Sequence, residues 1–322
     1  MSELRLNPLT GRWVTIATER ATRPDEFPAT RLAVEADPNR PCPFCPGHEE
    51  DTPPALETYG DDVQWRVRVV PNRYPAFSGD EPLSVANLGP LFRRADASGI
   101  HEVLVVTPDH DATFADLSDD QVALVMAAIR DRLRAHAAAP QVRYSQVIAN
   151  YGREAGASLR HPHGQLLGIP FVPGEVADEE AGFRRFGAAC ALCSLVEAET
   201  GAGHRVVHAN DSCMVVCPFW SGVPYEMLVV PRAHEGHLRD ADDATLTGVG
   251  LAVRDALGSL RAKAGDLAYN VVVHTLPHHH DSRYHWHIHI VPRVASVVGF
   301  EQGTGVLINI VAPEAAAELL AY

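Results

Sequence analysis

The sequence predicts an α+β chain made of two related halves, and three observations carry that prediction. A segment starting at Glu102 (EVLVVTPDHDATFADLSDDQVALVMAAIRDRL) is echoed by one starting at Glu226 (EMLVVPRAHEGHLRDADDATLTGVGLAVRDAL). His110 and His161 lie 51 residues apart, and so do His234 and His285, so one offset of 124 relates the two histidine pairs. Two CxxC pairs, Cys42/Cys45 and Cys190/Cys193, precede those histidines in the same order.

Each half then reads through in the same way. A run of β-branched and apolar residues makes a strand, and a proline-containing turn follows it with a histidine and an acidic stretch. The acidic stretch opens an amphipathic helix. Ser118 and Gln121 stand at capping-box spacing, which starts the first helix there. The second helix starts near Asp242, 124 residues after Ser118. A further strand follows each helix: VRYSQVIANYG from Val142, then LAYNVVVHT from Leu267. Each half next reaches a His-x-His strand, HPHGQ at His161 or HWHIH at His285. The expected division is 1–175 and 176–322.

The chain has 322 residues, enough for one large domain or two of ordinary size. Its 41 acidic side chains outnumber 27 basic ones, giving −14 with His neutral. No basic footprint for nucleic acid or an anionic membrane is present, so neither is an expected partner. No apolar run approaches transmembrane length. The N-terminal segment shows no signal pattern, and a cytoplasmic protein is expected. Six cysteines in that setting point to metal before disulfides. Cys213 and Cys217 sit in an apolar stretch and read as buried small hydrophobes.

The two CxxC pairs and the matched histidines give two Cys2His2 sets: Cys42, Cys45, His110, His161 and Cys190, Cys193, His234, His285. Two thiolates and two imidazoles close a tetrahedral zinc, leaving no open position. Two structural zinc ions per chain are therefore expected, and the chemistry falls to other histidines. Alternate side chains on a strand share a face, which puts His161, His163 and Gln165 on one side. His163 is then a candidate nucleophile toward phosphorus. Gln165 can donate an amide hydrogen to a phosphoryl oxygen, and it has no titrating proton with which to activate water. Gly152 and the Gly156-Ala157-Ser158 turn offer small residues and backbone N–H groups where phosphates approach. His278, His279 and His280 read as an exposed loop.

HPHGQ preceded by VIANYGREAGASLR resembles the active-site segment of galactose-1-phosphate uridylyltransferases, a branch of the histidine-triad superfamily. Supporting segments are NPLTGRWVTIATERATRP at Asn7, CPFCPG at Cys42, VVPNRYPAF at Val69 and PYEMLVVPRAH at Pro224. The resemblance spans roughly residues 5 to 312. It implies two fused histidine-triad-like halves, each an antiparallel sheet with a long helix, assembled as a homodimer. It also implies ping-pong transfer from a nucleotide sugar to a sugar-1-phosphate or phosphate, with His163 carrying the nucleotide and Gln165 steadying it. Arg20, Arg23, Asn72, Asn150, Gly156, Ser158, Gln302 and Thr304 are the implied substrate contacts. His287 and His289 match positions that ligate a second metal in that family.

The C-terminal loop departs from the family pattern. Thr304 and Gly305 stand where uridylyltransferases carry a Tyr-Glu pair that binds the hexose. GFEQGTG, the second CxxC and the HW at His285 look closer to the ADP-glucose phosphorylase branch, which uses inorganic phosphate as acceptor. Three readings stay open: a nucleotide-sugar transferase or phosphorylase, a histidine-triad hydrolase using either half, and a silent zinc-stabilised nucleotide binder. Under the second, His287 would be a second nucleophile, since it stands 124 residues after His163.

Overall fold

The computed structural model describes residues 2–22, 41–61, 64–294 and 298–322. Its strands in chain order are β1 (Glu3–Leu6), β2 (Trp13–Ile16), β3 (Glu57–Gly60), β4 (Trp65–Pro71), β5 (Ala86–Asn87), β6 (Arg93–Arg94), β7 (Ile100–Val105), β8 (Tyr144–Tyr151), β9 (His163–Ile169), β10 (Val206–Ala209), β11 (Cys213–Val216), β12 (Met227–Pro231), β13 (Tyr269–His274), β14 (His287–Pro292) and β15 (Leu307–Asn309). The helices are α1 (Asp119–Ala138), α2 (Gly174–Arg185), α3 (Ala191–Ala202), α4 (Asp243–Ala264), α5 (Gly299–Thr304) and α6 (Pro313–Leu320).

Ten strands form one continuous antiparallel sheet in the order β10-β11-β12-β14-β13-β8-β9-β7-β4-β3. The order reads alike from each end, five strands from each half meeting at β8 and β13. There Ile148 pairs with Val272, its own counterpart 124 residues on. The local twofold axis between the halves therefore passes through that pair.

The duplication slips by one residue in one place. Val103 pairs with Gln165, whereas Leu228 pairs with His289, so these neighbours are 125 apart. The matched carbonyls of Thr107 and Pro231 restore the offset of 124. Val106 is the extra residue, and the alignment of Glu102 with Glu226 shifts accordingly.

Both long helices start where their caps predict. The Ser118 hydroxyl accepts from the Gln121 N–H, and the Asp242 carboxylate from the Thr245 N–H. α1 and α4 cover one face of the sheet, burying Val122, Val125, Leu133, Val249 and Leu257 against Val147, Leu166 and Ile288. They cross closely at Gly250, where a Cβ would lie 2.6 Å from Met126 Cγ and 2.7 Å from Val122 Cγ1. On the other face α2 and α3 pack over Tyr144, Leu228 and Tyr284. Cys213 and Cys217 are buried, as the apolar stretch predicts.

His278 departs from the sequence reading, being 2% exposed and not part of a solvated loop. Its Nδ1 accepts from Arg239 (2.6 Å), which leaves the proton on Nε2, donated to Ser145 Oγ at 2.8 Å. Ser145 in turn donates to His136 Nδ1 (3.1 Å), whose Nε2 lies 3.3 Å from Glu102. This buried chain of aligned donors fastens the loop to the start of β8, in the middle of the sheet.

A small three-stranded sheet, β1-β2-β15, sits against the second half. There Asn309 donates to the carbonyls of Ser221 and Val223, and Arg5 joins Glu314 and the Phe219 carbonyl. Among the described residues no helix is long and apolar enough to cross a membrane.

Candidate active site and metal centres

β9 begins at His163, one residue pair later than the sequence alternation implies. His161 therefore precedes the strand, fully buried, with its ring turned to the cysteines. His161 Nε2 donates to the Thr107 carbonyl at 2.8 Å, so Nδ1 keeps its lone pair, 3.6 Å from Cys45 Sγ. His110 Nδ1 lies 3.4 Å from the same sulfur. One thiol proton cannot serve two imidazoles. Separations near about 3.5 Å are, however, the S-to-N edge of a tetrahedron built from ordinary Zn–S and Zn–N bonds. Without a cation, burial and the Cys42 thiol push Cys45 up to about 11, so a bound metal has to draw off that proton.

The second set repeats this geometry. His285 Nε2 donates to the Pro231 carbonyl at 2.9 Å, and its Nδ1 lies 3.5 Å from both Cys190 and Cys193. His234 Nδ1 is 3.5 Å from Cys193. The ligand atoms of each set lie within 4.8 Å of one another. Both Cys2His2 sets thus fit zinc, each with a carbonyl fixing the tautomer of one ligand.

A third cluster joins Glu179 of α2, His274 of β13, and His287 and His289 of β14. His274 Nδ1 is 2.9 Å from Glu179, while His287 Nε2 and His289 Nε2 lie 3.7 and 3.9 Å from it. Those two Nε2 atoms are buried without a hydrogen-bond partner, which is where a divalent cation would complete them. Burial alone would raise Glu179; His274 and His287 outweigh it and hold the carboxylate well below its usual range. His287 and His289 were legible in the HWHIH motif. Glu179 and His274 were not, since an acidic helix and a strand end give no ligand spacing. The cluster also corrects the second-nucleophile reading: His287 is fully buried, packed against Phe183 and Tyr284.

The open cleft belongs to the first half. It encloses about 840 Å³ and is lined by Phe44, Val70, Asn72, Ser158, His163 and Gln165, among others. His163 donates its Nδ1–H to the His161 carbonyl at 2.8 Å. That leaves Nε2 as the unprotonated nitrogen. Burial pushes the His163 imidazole down in spite of that carbonyl, which keeps the ring neutral. Gln165 follows on the same strand face, its Oε1 2.8 Å from His101 Nε2. His101 is a site residue with no motif to announce it.

The remaining sequence-predicted contacts divide. Asn72 and Ser158 line the cleft. Asn150 accepts from Asn270 (2.7 Å) and stands beside Gly156, whose φ of 87° suits glycine. The N–H groups of Ala155, Gly156 and Ala157 bond the carbonyls of Gly152 and Arg153. They close the turn and are not free for phosphate, which corrects the expectation for the Gly156 and Ala157 amides. Arg20 lies exposed after β2, and Gln302 and Thr304 lie exposed in α5, next to β15. None of the three lines the cleft around His163. Arg23 lies outside the described residues.

The duplicated antiparallel sheet with a histidine in its cleft fits a class, the nucleotidyltransferases that act on nucleotide sugars. The sequence matches the family described as galactose-1-phosphate uridyl transferase, N-terminal domain, over residues 1–173, and a domain of unknown function (DUF4921) over 99–321. The chain belongs to the galactose-1-phosphate uridyl transferase family. It is 32% identical to an ADP-glucose phosphorylase from Arabidopsis thaliana, over 99% of this chain and 92% of that protein. It is 28% identical to a galactose-1-phosphate uridylyltransferase from Thermotoga maritima, over 99% and 98%. The crystal structure of an Arabidopsis thaliana ADP-glucose phosphorylase with bound ADP-glucose superposes with a TM-score of 0.85 at 29% identity, covering 99% of this chain and 98% of that one.

Proposed function

We propose that the chain transfers a nucleoside monophosphate from a nucleotide sugar, through a covalent nucleotidyl-His163, to a hexose-1-phosphate. The observation that carries this is the His163 Nδ1–H bond to the His161 carbonyl, which reserves Nε2 for the cleft. In the first step Nε2 attacks the α-phosphorus, an N–P bond forms, and the sugar-1-phosphate leaves with the electrons of the P–O bond. In the second, an acceptor phosphate oxygen attacks the same phosphorus and the imidazole leaves neutral. Splitting one transfer into two displacements lowers each barrier. The Gln165 amide donates to a non-bridging oxygen and supplies no base for water. Asn72, Asn150 and Ser158 are the proposed contacts on this chain, with Gly156 keeping the turn beside Asn150 small.

Zinc bound at the two Cys2His2 sets holds loop and strand in register and is structural. Four of the six cysteines stand in the two metal sets, which suits a reducing, cytoplasmic compartment. Inorganic phosphate is a second acceptor reading. It is favoured by Thr304 and Gly305 in place of a hexose-binding pair, and by the likeness to a protein named ADP-glucose phosphorylase.

In this reading the chain, made of halves 1–175 and 176–322, pairs with a second copy of itself as a homodimer. Arg20, Gln302 and Thr304 do not line their own chain's cleft, so a second copy is the source from which such groups would come. The β5–β6 hairpin supplies an apolar surface for that copy, with Leu88, Leu91 and Phe92 at 57%, 84% and 66% exposure.

The test is intact mass after separate incubation with UDP-glucose, ADP-glucose and a GDP-sugar. One adduct of nucleoside-monophosphate mass, acid-labile and mapped to the His163 peptide, is expected, and its mass names the base. No adduct with any donor, or one mapped to His287, would overturn the proposal.

A further inference from the structure

The Gln165 amide helps transfer in only one of its two orientations. With Nε2 toward the cleft it donates to a phosphoryl oxygen, while with Oε1 there it presents one negative oxygen to another. Nothing in Gln165 itself chooses between them, because the two ends differ only in hydrogens. The choice comes from the neighbour that holds the other end.

That neighbour is His101, half-buried on β7 beside β9. The Ala76 backbone N–H points at His101 Nδ1 at 3.0 Å. A backbone N–H can only donate, so Nδ1 carries the lone pair and the ring proton sits on Nε2. His101 Nε2 then donates to Gln165 Oε1 at 2.8 Å. Asn72 Nδ2 also stands 3.1 Å from this Nε2, and the opposite tautomer would accept from it. That tautomer, however, strands the Ala76 N–H and sets the lone pair of Nε2 against Gln165 Oε1. The Ala76 N–H, a backbone donor that cannot turn round, decides for the proton on Nε2. The Asn72 Oδ1 has its own donor, the Tyr74 N–H at 2.9 Å.

We propose that His101 is a positioning residue for nucleotidyl transfer: held by the Ala76 N–H, it fixes the Gln165 amide with its two donors toward the phosphoryl group. The inference rests on the reading of His163 and Gln165 given under Proposed function. His101 lies outside the lining of the cleft around His163. It acts through Gln165, and the information runs from a loop amide through one imidazole to the transition state.

The test compares wild type with His101→Leu, His101→Gln, Gln165→Ala and the double variant His101→Leu/Gln165→Ala, all checked for unchanged metal content and melting. Adduct formation at His163 should slow about tenfold or more in His101→Leu through kcat, with KM for the nucleotide sugar unchanged, as loss of a hydrogen bond to a charged group implies. His101→Gln, which places an amide donor near the lost Nε2, should recover most of that rate. In the Gln165→Ala background, His101→Leu should cost nothing further. An additive loss in the double variant, or no recovery in His101→Gln, would overturn the inference. Long-range 15N NMR reads the tautomer independently of turnover, and a His101 ring protonated on Nδ1 overturns it as well. A wild type that forms no adduct while its His101 is protonated on Nε2 would overturn the functional reading and leave the positioning of Gln165 standing.

Discussion

His163 donates its Nδ1–H to the backbone carbonyl of His161 at 2.8 Å, and the pair recurs 124 residues later, where His287 donates to the carbonyl of His285 at 2.9 Å. In both halves a metal-set histidine thus dictates which nitrogen of the next histidine is free. The free nitrogen of His163 faces a cleft, and that of His287 faces Glu179. One local arrangement serves two ends.

Replacing the proposed nucleophile should separate chemistry from structure. His163→Gly should lose nucleotidyl transfer by several orders of magnitude. Metal content and melting temperature should stay as in wild type, because His163 lies outside all three ligand clusters. His287→Gly should lose metal instead. Single-turnover transfer and elemental analysis on both variants check this.

Metal stoichiometry follows from the clusters. Fully loaded protein should carry about three divalent ions per chain, two of them zinc. Cys42→Ser should remove one zinc and lower the melting temperature, since binding free energy there is folding free energy. Glu179→Gln should remove only the third ion. Elemental analysis of each variant distinguishes these losses, and a wild-type value of two locates the third cluster's reading as the wrong one.

Acceptor choice should be loose toward the hexose. With Gly305 in place of a carboxylate, galactose-1-phosphate and glucose-1-phosphate should turn over within about tenfold of each other. A site built to bond one hydroxyl would separate them far more. Inorganic phosphate should compete. Initial rates from the isolated nucleotidyl-enzyme with each acceptor measure the ratio.

Stability should fall on mild acidification through buried imidazoles outside the metal sets. Burial, then the neighbouring Arg239, pushes His278 down to about 3 and His237 down to about 4. The unfolded chain protonates near 6.5, so it binds more protons than the fold between there and those values. Stability is therefore full above about pH 6.5 and declines as pH drops, by up to about 1.4 kcal/mol per pH unit for each ring. His278→Gln should flatten that slope in urea titrations between pH 7 and 4.5, at some loss of stability at pH 7.

Assembly is checked on the hairpin. Leu91→Arg with Phe92→Glu should convert a dimer to a monomer in light scattering at unchanged melting by far-UV dichroism. A monomeric wild type would remove the homodimer from the proposal.

The amino-acid sequence by itself determined the duplication, both helix starts, both Cys2His2 sets and the candidacy of His163. These are written in short-range spacing and capping chemistry, which act within a few residues of the chain, or in a repeat that declares itself by its constant offset. Only the tertiary structure decided the rest. Packing of α2 on the sheet brought Glu179 to three histidines, the antiparallel pairing of β7 with β9 set His101 against Gln165, and the extra Val106 slipped one half of the duplication by a residue. The loop at His278 was buried by Arg239 and Ser145, and the β1-β2-β15 sheet carried Arg20 and Thr304 away from the cleft. Each of those contacts joins segments far apart in the chain, and a side chain's identity does not state which distant surface it will meet.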